Sequence, residues 1–490
     1  MRRWGGAGIV VLTVIACGAR ADEAPKDVRG PKLPLAVVDL LTRAQIPHES
    51  VALVVREVSA PDARISHNAD KPMNPASVIK LLTTYAALEM LGPAHKWKTE
   101  VLTTADSRGP TLAGDLIFKG SGDPKFTAER FEKLLKQIID RGINNLRGDL
   151  VLDTSIFEPV VHDPAAFDGE PLKAYNVGPD ALLLQGRAAR FGFAPRFDGS
   201  GVSVWVEPRL AQLDINNRLK LTEGTCGDWR NRIVLEVRTP EPTQLKVTFS
   251  GNYPKSCAEQ AWHIAVLDPA RYLGGAFAKT WAALGGNWQG AVRLTATPAD
   301  AKVLAVTESA PIAEIVRDIN KHSNNPMARQ LFLALSADGT APANVARSTE
   351  RVREWLGRKG ISATELVVEN GSGLSRSERI SANTLAAILG QAWKSAVMPE
   401  FMSSLPVLGV DGTFRRRLRS EPVAGQAHIK GGTLNDVRAI AGYVLDAQGR
   451  RWIVVFMVQH PNAALAQSAQ DALLKWLAQG SPAGAQVLAQ

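Results

Sequence analysis

The stretch "NPASVIKLLTTYAALEMLG", Asn74 to Gly92, sets one lysine, Lys80, in an otherwise apolar segment, three residues after Ser77. Its apolar residues occupy nearly every face of a helix, which predicts a buried one, and Gly92-Pro93 ends it. A charged ammonium in such surroundings costs several kcal/mol unless it is paired or loses its proton. Residues three apart share a helix face, so the Ser77 hydroxyl and the Lys80 amine are expected to be neighbours. With its proton driven off by burial and nearby cations, that amine can accept the serine proton and create a nucleophile. Free N–H groups at the helix start would favour an oxyanion formed there. The competing reading is a capping serine with a snorkelling lysine. A serine and lysine at this spacing arise by chance about once in a chain of this length, so the motif alone is weak. Here it is the only such pair, and its helix is apolar all round.

Serine–lysine acyl enzymes also use an SxN triplet and a KTG-like strand. SxN occurs at Ser66, Ser250, Ser323 and Ser381. The triplet in "KHSNNPMARQL" is chosen because it joins two predicted helices in the C-terminal part. Ser66 falls on a hairpin edge, Ser250 in a strand-rich middle, and Ser381 reads as a helix cap. Ser323 could relay a proton to a leaving amine and Asn325 could donate to a substrate amide, although capping explains Ser323 equally well. No KTG is present. Its best counterpart is Lys430 in "HIKGGTLNDVRAIAGYV". Gly431 and Gly432 allow a second backbone to approach, and the Thr433 N–H could face that of Ser77 as an oxyanion hole.

The whole chain fits this centre. Its 490 residues exceed one ordinary core and predict roughly two to four domains. With 45% hydrophobic and 21% charged residues it is a globular composition. The net charge of +9 is dispersed, its densest cluster being Arg415, Arg416, Arg417 and Arg419. These read as a solvated basic face, with attraction to an anionic envelope polymer as the rival; no stacking aromatics or module point to nucleic acid. Residues 1–21 have the cationic start, short apolar run and small-x-small site of a signal peptide, while "VIAC" ending at Cys17 offers lipoprotein processing as the alternative. Export is thus expected, with the mature chain soluble or tethered at its start. Cys226 and Cys257, in turn-rich segments, most simply form one disulfide, closing a loop of about 30 residues worth about 3 kcal/mol. Scattered histidines without HExxH or CxxC spacing predict no metal site. Short alternating runs make residues 96–300 β-rich. Strand and helix patterns on either side, 22–95 and 301–490, predict one α/β (α+β) unit whose antiparallel sheet is flanked by the first and last helices. In that last helix Leu465, Ala469, Ala472, Leu473 and Trp476 form a core-facing stripe.

Taken in order, "NPASVIK", "GSGDP", "INKHSNNPMARQL", "NGSGLSR", "LPVLGVDGTFRRRL" and "IKGGTLNDVRAIAGYV" resemble the class C low-molecular-mass penicillin-binding proteins, the D-alanyl-D-alanine carboxypeptidase/endopeptidases of the bacterial periplasm. The resemblance spans almost the whole chain after residue 21. It implies a penicillin-binding, serine β-lactamase-like transpeptidase domain interrupted by two β-rich subdomains. It also implies no cofactor, with peptidoglycan stem peptides as substrates and β-lactams as covalent inhibitors; a loose association with the envelope is the partner that the positive charge would allow. By that resemblance Ser77 is the acylated nucleophile, Lys80 its base, Ser323 and Asn325 the second motif, and Lys430 the cation that steers the substrate carboxylate. One position departs: the family usually has threonine where this chain has Gly431. That departure motivates the alternative of a peptidoglycan-binding scaffold impaired in turnover; a β-lactamase ranks below it.

Overall fold

The computed structural model describes residues 33–480 except 161 and 242. The signal-peptide and Cys17 readings therefore lie outside the described residues. A five-stranded antiparallel sheet holds both ends of the described chain together, in the order 427–434, 437–445, 451–459, 51–57, 65–67. The strands 51–57 and 451–459 are near-continuous apolar runs, as a sheet covered on both faces requires. Their side chains alternate between two cores. Ala52, Val54, Ala439, Ala441, Val455 and Met457 face one core. Val51, Leu53, Val55, Ile440, Val454 and Phe456 face the other.

The second of these cores is closed by the helices Leu35–Arg43 and Gln467–Ala478. The first is closed by a helical layer that includes Lys80–Met90, Ile312–His322, Asn325–Ala334 and Ala382–Lys394. The last helix differs from its sequence reading at one end. Leu465 precedes it in a 3-10 turn and is exposed, and the buried stripe is Ala469, Leu473, Leu474 and Leu477.

Between these halves runs a strand-rich segment with a separate core built from residues 101–305. One five-stranded sheet orders 292–294, 150–153, 116–119, 98–103 and 302–308. Its edge strand Lys302–Glu308 pairs with Lys98–Thr103, so this sheet runs past residue 300 to Glu308. Two three-stranded sheets follow from residues 189–264, and Cys226 and Cys257 are disulfide-bonded there, as expected. The helix Ala128–Asp140 is capped by Thr127, whose side chain accepts from the Arg130 N–H, and the chain leaves it through Gly142 at φ 85°. No helix among the described residues is long and apolar enough to cross a membrane.

Candidate active site

Asn74 starts the site. Its side-chain oxygen accepts the Ala76 N–H at 2.9 Å and its amide donates to the Ser375 carbonyl at 2.9 Å. This turn holds Ala76 at φ 45°, a left-handed conformation that non-glycine residues adopt at some cost and that clusters at functional sites. Ser77 follows in a 3-10 turn, Ala76–Ile79, that runs into the helix Lys80–Met90. Residues 80–88 of that helix are all buried, as its apolar faces predict, and Lys80 itself is 0% exposed.

Lys80 Nζ lies 3.0 Å from Ser77 Oγ, 2.7 Å from Asn325 Oδ1, and against the Ser372 carbonyl. A neutral amine has two N–H donors and one lone pair. Two donations, to Asn325 and Ser372, leave the lone pair for the Ser77 hydroxyl proton. Burial first, and the charge of Lys430 second, hold Lys80 well below the ordinary lysine range; Glu378 pulls the other way and Arg329 adds to the lowering.

Ser323 sits at the end of the helix Ile312–His322 with φ 55° and ψ 39°. It is not a cap of the following helix. Asn324 takes that role, its side chain accepting the Met327 N–H. Ser323 Oγ instead accepts from Lys430 Nζ at 2.8 Å, and that amine also donates to the Gly431 carbonyl at 2.8 Å. Burial lowers Lys430 to about 7. Among the other triplets, Ser381 caps Ala382–Lys394, as read, and Ser66 lies on a strand.

Lys430, Gly431, Gly432 and Thr433 belong to the outermost strand, Ala427–Leu434, which pairs on one side with Val437–Leu445. The Ile429 N–H donates outward to Pro406. Backbone groups alternate along a strand, so those of Gly431 and Thr433 also face this open edge. The edge lies against the Ala76–Ser77 turn: a Cβ on Gly432 would stand 2.6 Å from the Pro75 carbonyl oxygen and 3.1 Å from Ser77 N. Ser77, Ser323, Gly431, Gly432 and Thr433 line one cavity of about 500 Å³.

Several contributors escaped the sequence reading. In "NGSGLSR", Gly373 at φ 82° packs on the Ala76–Ser77 peptide, where a Cβ would stand 2.0 Å from the Ala76 oxygen. Fully buried Glu378 accepts the N–H groups of residues 369, 370 and 371 at 3.3, 3.0 and 2.9 Å, which fixes the loop that presents the Ser372 carbonyl to Lys80. Burial pushes the Glu378 carboxyl up. Lys321 ties the 405–417 loop to the Ser323 helix, donating to the Leu405 carbonyl and to Asp411 Oδ2, both at 2.6 Å. That loop lays Phe414 over Gly431, so that a Cβ at 431 would stand 2.9 Å from the ring. The basic cluster beside it divides: Arg415, Arg416 and Arg419 are exposed, as a solvated face requires, whereas Arg417 is half-buried, pairs with Asp471 at 2.6 Å and covers Phe414.

An antiparallel sheet under a buried serine–lysine pair, with a serine–asparagine turn and a lysine-bearing edge strand closing over it, defines the class of low-molecular-mass penicillin-binding proteins. The chain matches the D-Ala-D-Ala carboxypeptidase 3 (S13) family over residues 35–480, and it belongs to that family. It is 29% identical over 457 residues to a D-alanyl-D-alanine carboxypeptidase of Actinomadura sp., covering 89% of this chain and 83% of that protein. It is 25% identical over 406 residues to D-alanyl-D-alanine carboxypeptidase DacB of Haemophilus influenzae, covering 82% and 84%. The crystal structure of penicillin binding protein 4 (dacB) from Haemophilus influenzae superposes with a TM-score of 0.72 at 24% identity, covering 90% of this chain and 99% of that one.

Proposed function

We propose that this carboxypeptidase-family chain is a periplasmic serine acyl-enzyme that cleaves D-Ala-D-Xaa bonds in peptidoglycan stem peptides and cross-links, and that β-lactams acylate it at Ser77. Lys80, as a neutral amine, takes the Ser77 proton while Oγ attacks the carbonyl carbon. Ser323, hydrogen-bonded to Lys430, passes a proton to the departing amine, which is D-alanine in a carboxypeptidase step or the cross-linked amine in an endopeptidase step. Asn325, its oxygen engaged by Lys80, has its Nδ2 hydrogens for the substrate amide. Water then releases the acyl group. The Ser77 and Thr433 N–H groups form the oxyanion hole. On this reading residues 98–308 are an insertion, of two subdomains, into the catalytic unit formed by the flanking segments. The lipid-free periplasmic form and the lipoprotein form both accord with these roles.

One observation carries the proposal: a lysine with no exposed surface lies 3.0 Å from a serine hydroxyl at the wall of an open cavity. A capping serine with a snorkelling lysine would have put that nitrogen in water. Intact-protein mass spectrometry after addition of benzylpenicillin tests it. A single adduct on the parent that Ser77→Ala abolishes is expected; no adduct, or one that survives the substitution, refutes it.

Gly431 under Phe414 favours a second reading, a scaffold that binds peptidoglycan and turns over poorly. Release of D-alanine from a pentapeptide, lost in Lys80→Ala, excludes it.

A further inference from the structure

Gly431 carries no hydroxyl, and Phe414 covers the space where a side chain would begin. The cavity over Ser77 contains a different group suited to an anion. Arg438 lines it together with Ser77, Ser323 and Thr433. It stands directly across the hairpin from Thr433, donates to the Thr433 hydroxyl oxygen at 2.7 Å, and donates to Gln467 Oε1 at 3.2 Å. Its Nε is buried without a hydrogen-bond partner. Among the described residues no carboxylate lies within ion-pair distance of it, and the nearby Asp471 is taken by Arg417. Burial and the charge of Arg417 both disfavour its cation, with Asp471 only partly offsetting them.

A half-buried guanidinium without a counter-ion is stabilised by an anion arriving in its cavity, and its planar fork matches a carboxylate. Accepting from Arg438 leaves the Thr433 O–H free to donate to the same anion. Arg416, also at the cavity, is exposed and makes no hydrogen bond to the described residues that would fix it.

We propose that Arg438, acting with Thr433, is the carboxylate-recognition element of this site, and that it holds the free carboxylate beside the scissile amide where Gly431 offers nothing. This assignment rests on the serine acyl-enzyme reading above and adds a specificity-determining residue to it.

The probes are benzylpenicillin and its methyl ester. With either, Ser77 Oγ bonds to the β-lactam carbonyl carbon, the ring C–N bond breaks, and the serine proton ends on the ring nitrogen. Second-order acylation rates are measured for the parent, Arg438→Gln, Arg438→Lys and Arg416→Gln. A charged hydrogen bond of this kind predicts that Arg438→Gln slows acylation by the free acid about 10- to 100-fold. Acylation by the ester should be unchanged in that variant, which also shows that Ser77 and its surroundings remain folded. Arg438→Lys should recover part of the loss and Arg416→Gln should lose little. Equal slowing for acid and ester assigns Arg438 a structural role in the hairpin and overturns the proposal, as does an unchanged acid rate. No adduct on the parent with either compound defeats the acyl-enzyme reading itself and this proposal with it. Adducts that form with equal acid–ester discrimination in parent and Arg438→Gln defeat the arginine assignment alone.

Discussion

Gly431→Thr would install the residue that the family motif carries, yet the structure predicts that it harms this protein. A Cβ at 431 falls 2.9 and 3.0 Å from two ring carbons of Phe414, whereas carbon atoms pack best at about 3.5–4.0 Å. The ring must therefore retreat by at least about half an ångström. It is 4% exposed, shares a core with Leu408 and Ile429, and is covered by the Arg417 guanidinium, 5.2 Å from its centroid. Overpacking of this kind costs about 1–3 kcal/mol. Removing a strand glycine returns about 0.5–1 kcal/mol, which leaves a net loss of about 0–2.5 kcal/mol, about 1 kcal/mol at the centre of both ranges. Phe414→Leu withdraws the ring edge, so the pair should be coupled: the double variant should be more stable than the sum of the single effects by about 1 kcal/mol or more. Thermal unfolding of the four proteins reads this as midpoint shifts of about 2–4 °C per kcal/mol. D-alanine release should be lower in Gly431→Thr and should recover when Phe414→Leu is added. A coupling energy near zero between the two substitutions would refute the reasoning.

Burial lowers Lys430 to about 7, below the value of about 10.4 for a lysine in an unfolded chain. Between those values the unfolded state holds more protons, so stability rises with pH from about 7 to about 10; Lys430→Met should remove that part of the slope in denaturant titrations, and identical slopes would contradict the assignment. Replacing Cys226 and Cys257 together by serine should cost about 3 kcal/mol through loop closure. The bridge belongs to the core of residues 101–305 rather than to the two cores of the main sheet, so the rate of benzylpenicillin acylation should stay unchanged at temperatures where the protein is folded, and a parallel loss of acylation would show that the cores are not independent.

How much was legible follows from the range of each signal. Ser77 and Lys80 could be read because their relation is local, three positions along a segment whose apolar residues demand burial. The strands of the main sheet were legible as apolar runs such as 51–57 and 451–459, but these are buried on both faces and so do not reveal that the sheet separates two cores. Ser323 and Asn325 were legible only in part: of four SxN triplets theirs was chosen for its place between two predicted helices, capping explained Ser323 equally well, and only the geometry showed Asn324 rather than Ser323 as the cap of the following helix. Glu378, Arg329 and the Ser372 carbonyl carry no periodic signal, because the charge of the first two and the contact of the third reach Lys80 only when distant segments close around it. Arg438 was within reach: a two-residue turn at Asn435–Asp436 places residue 438 opposite 433. Leu465 was misjudged because its spacing matches the helix although the helix begins two residues later. Arg417 was counted as a surface charge because composition cannot show that Asp471 meets it.

Proton transfer from Ser77 requires, above all, that the Lys80 amine be neutral. Carbon and nitrogen NMR of the lysine side chains in the full chain, with Lys80→Met to assign the signal, measures it directly. A Lys80 resonance that titrates well below the ordinary lysine value of about 10.4, and shifts towards that value when Lys430→Met removes the neighbouring charge's lowering effect, is the predicted result. An ammonium that persists unaltered to about pH 10 in the free enzyme would contradict it.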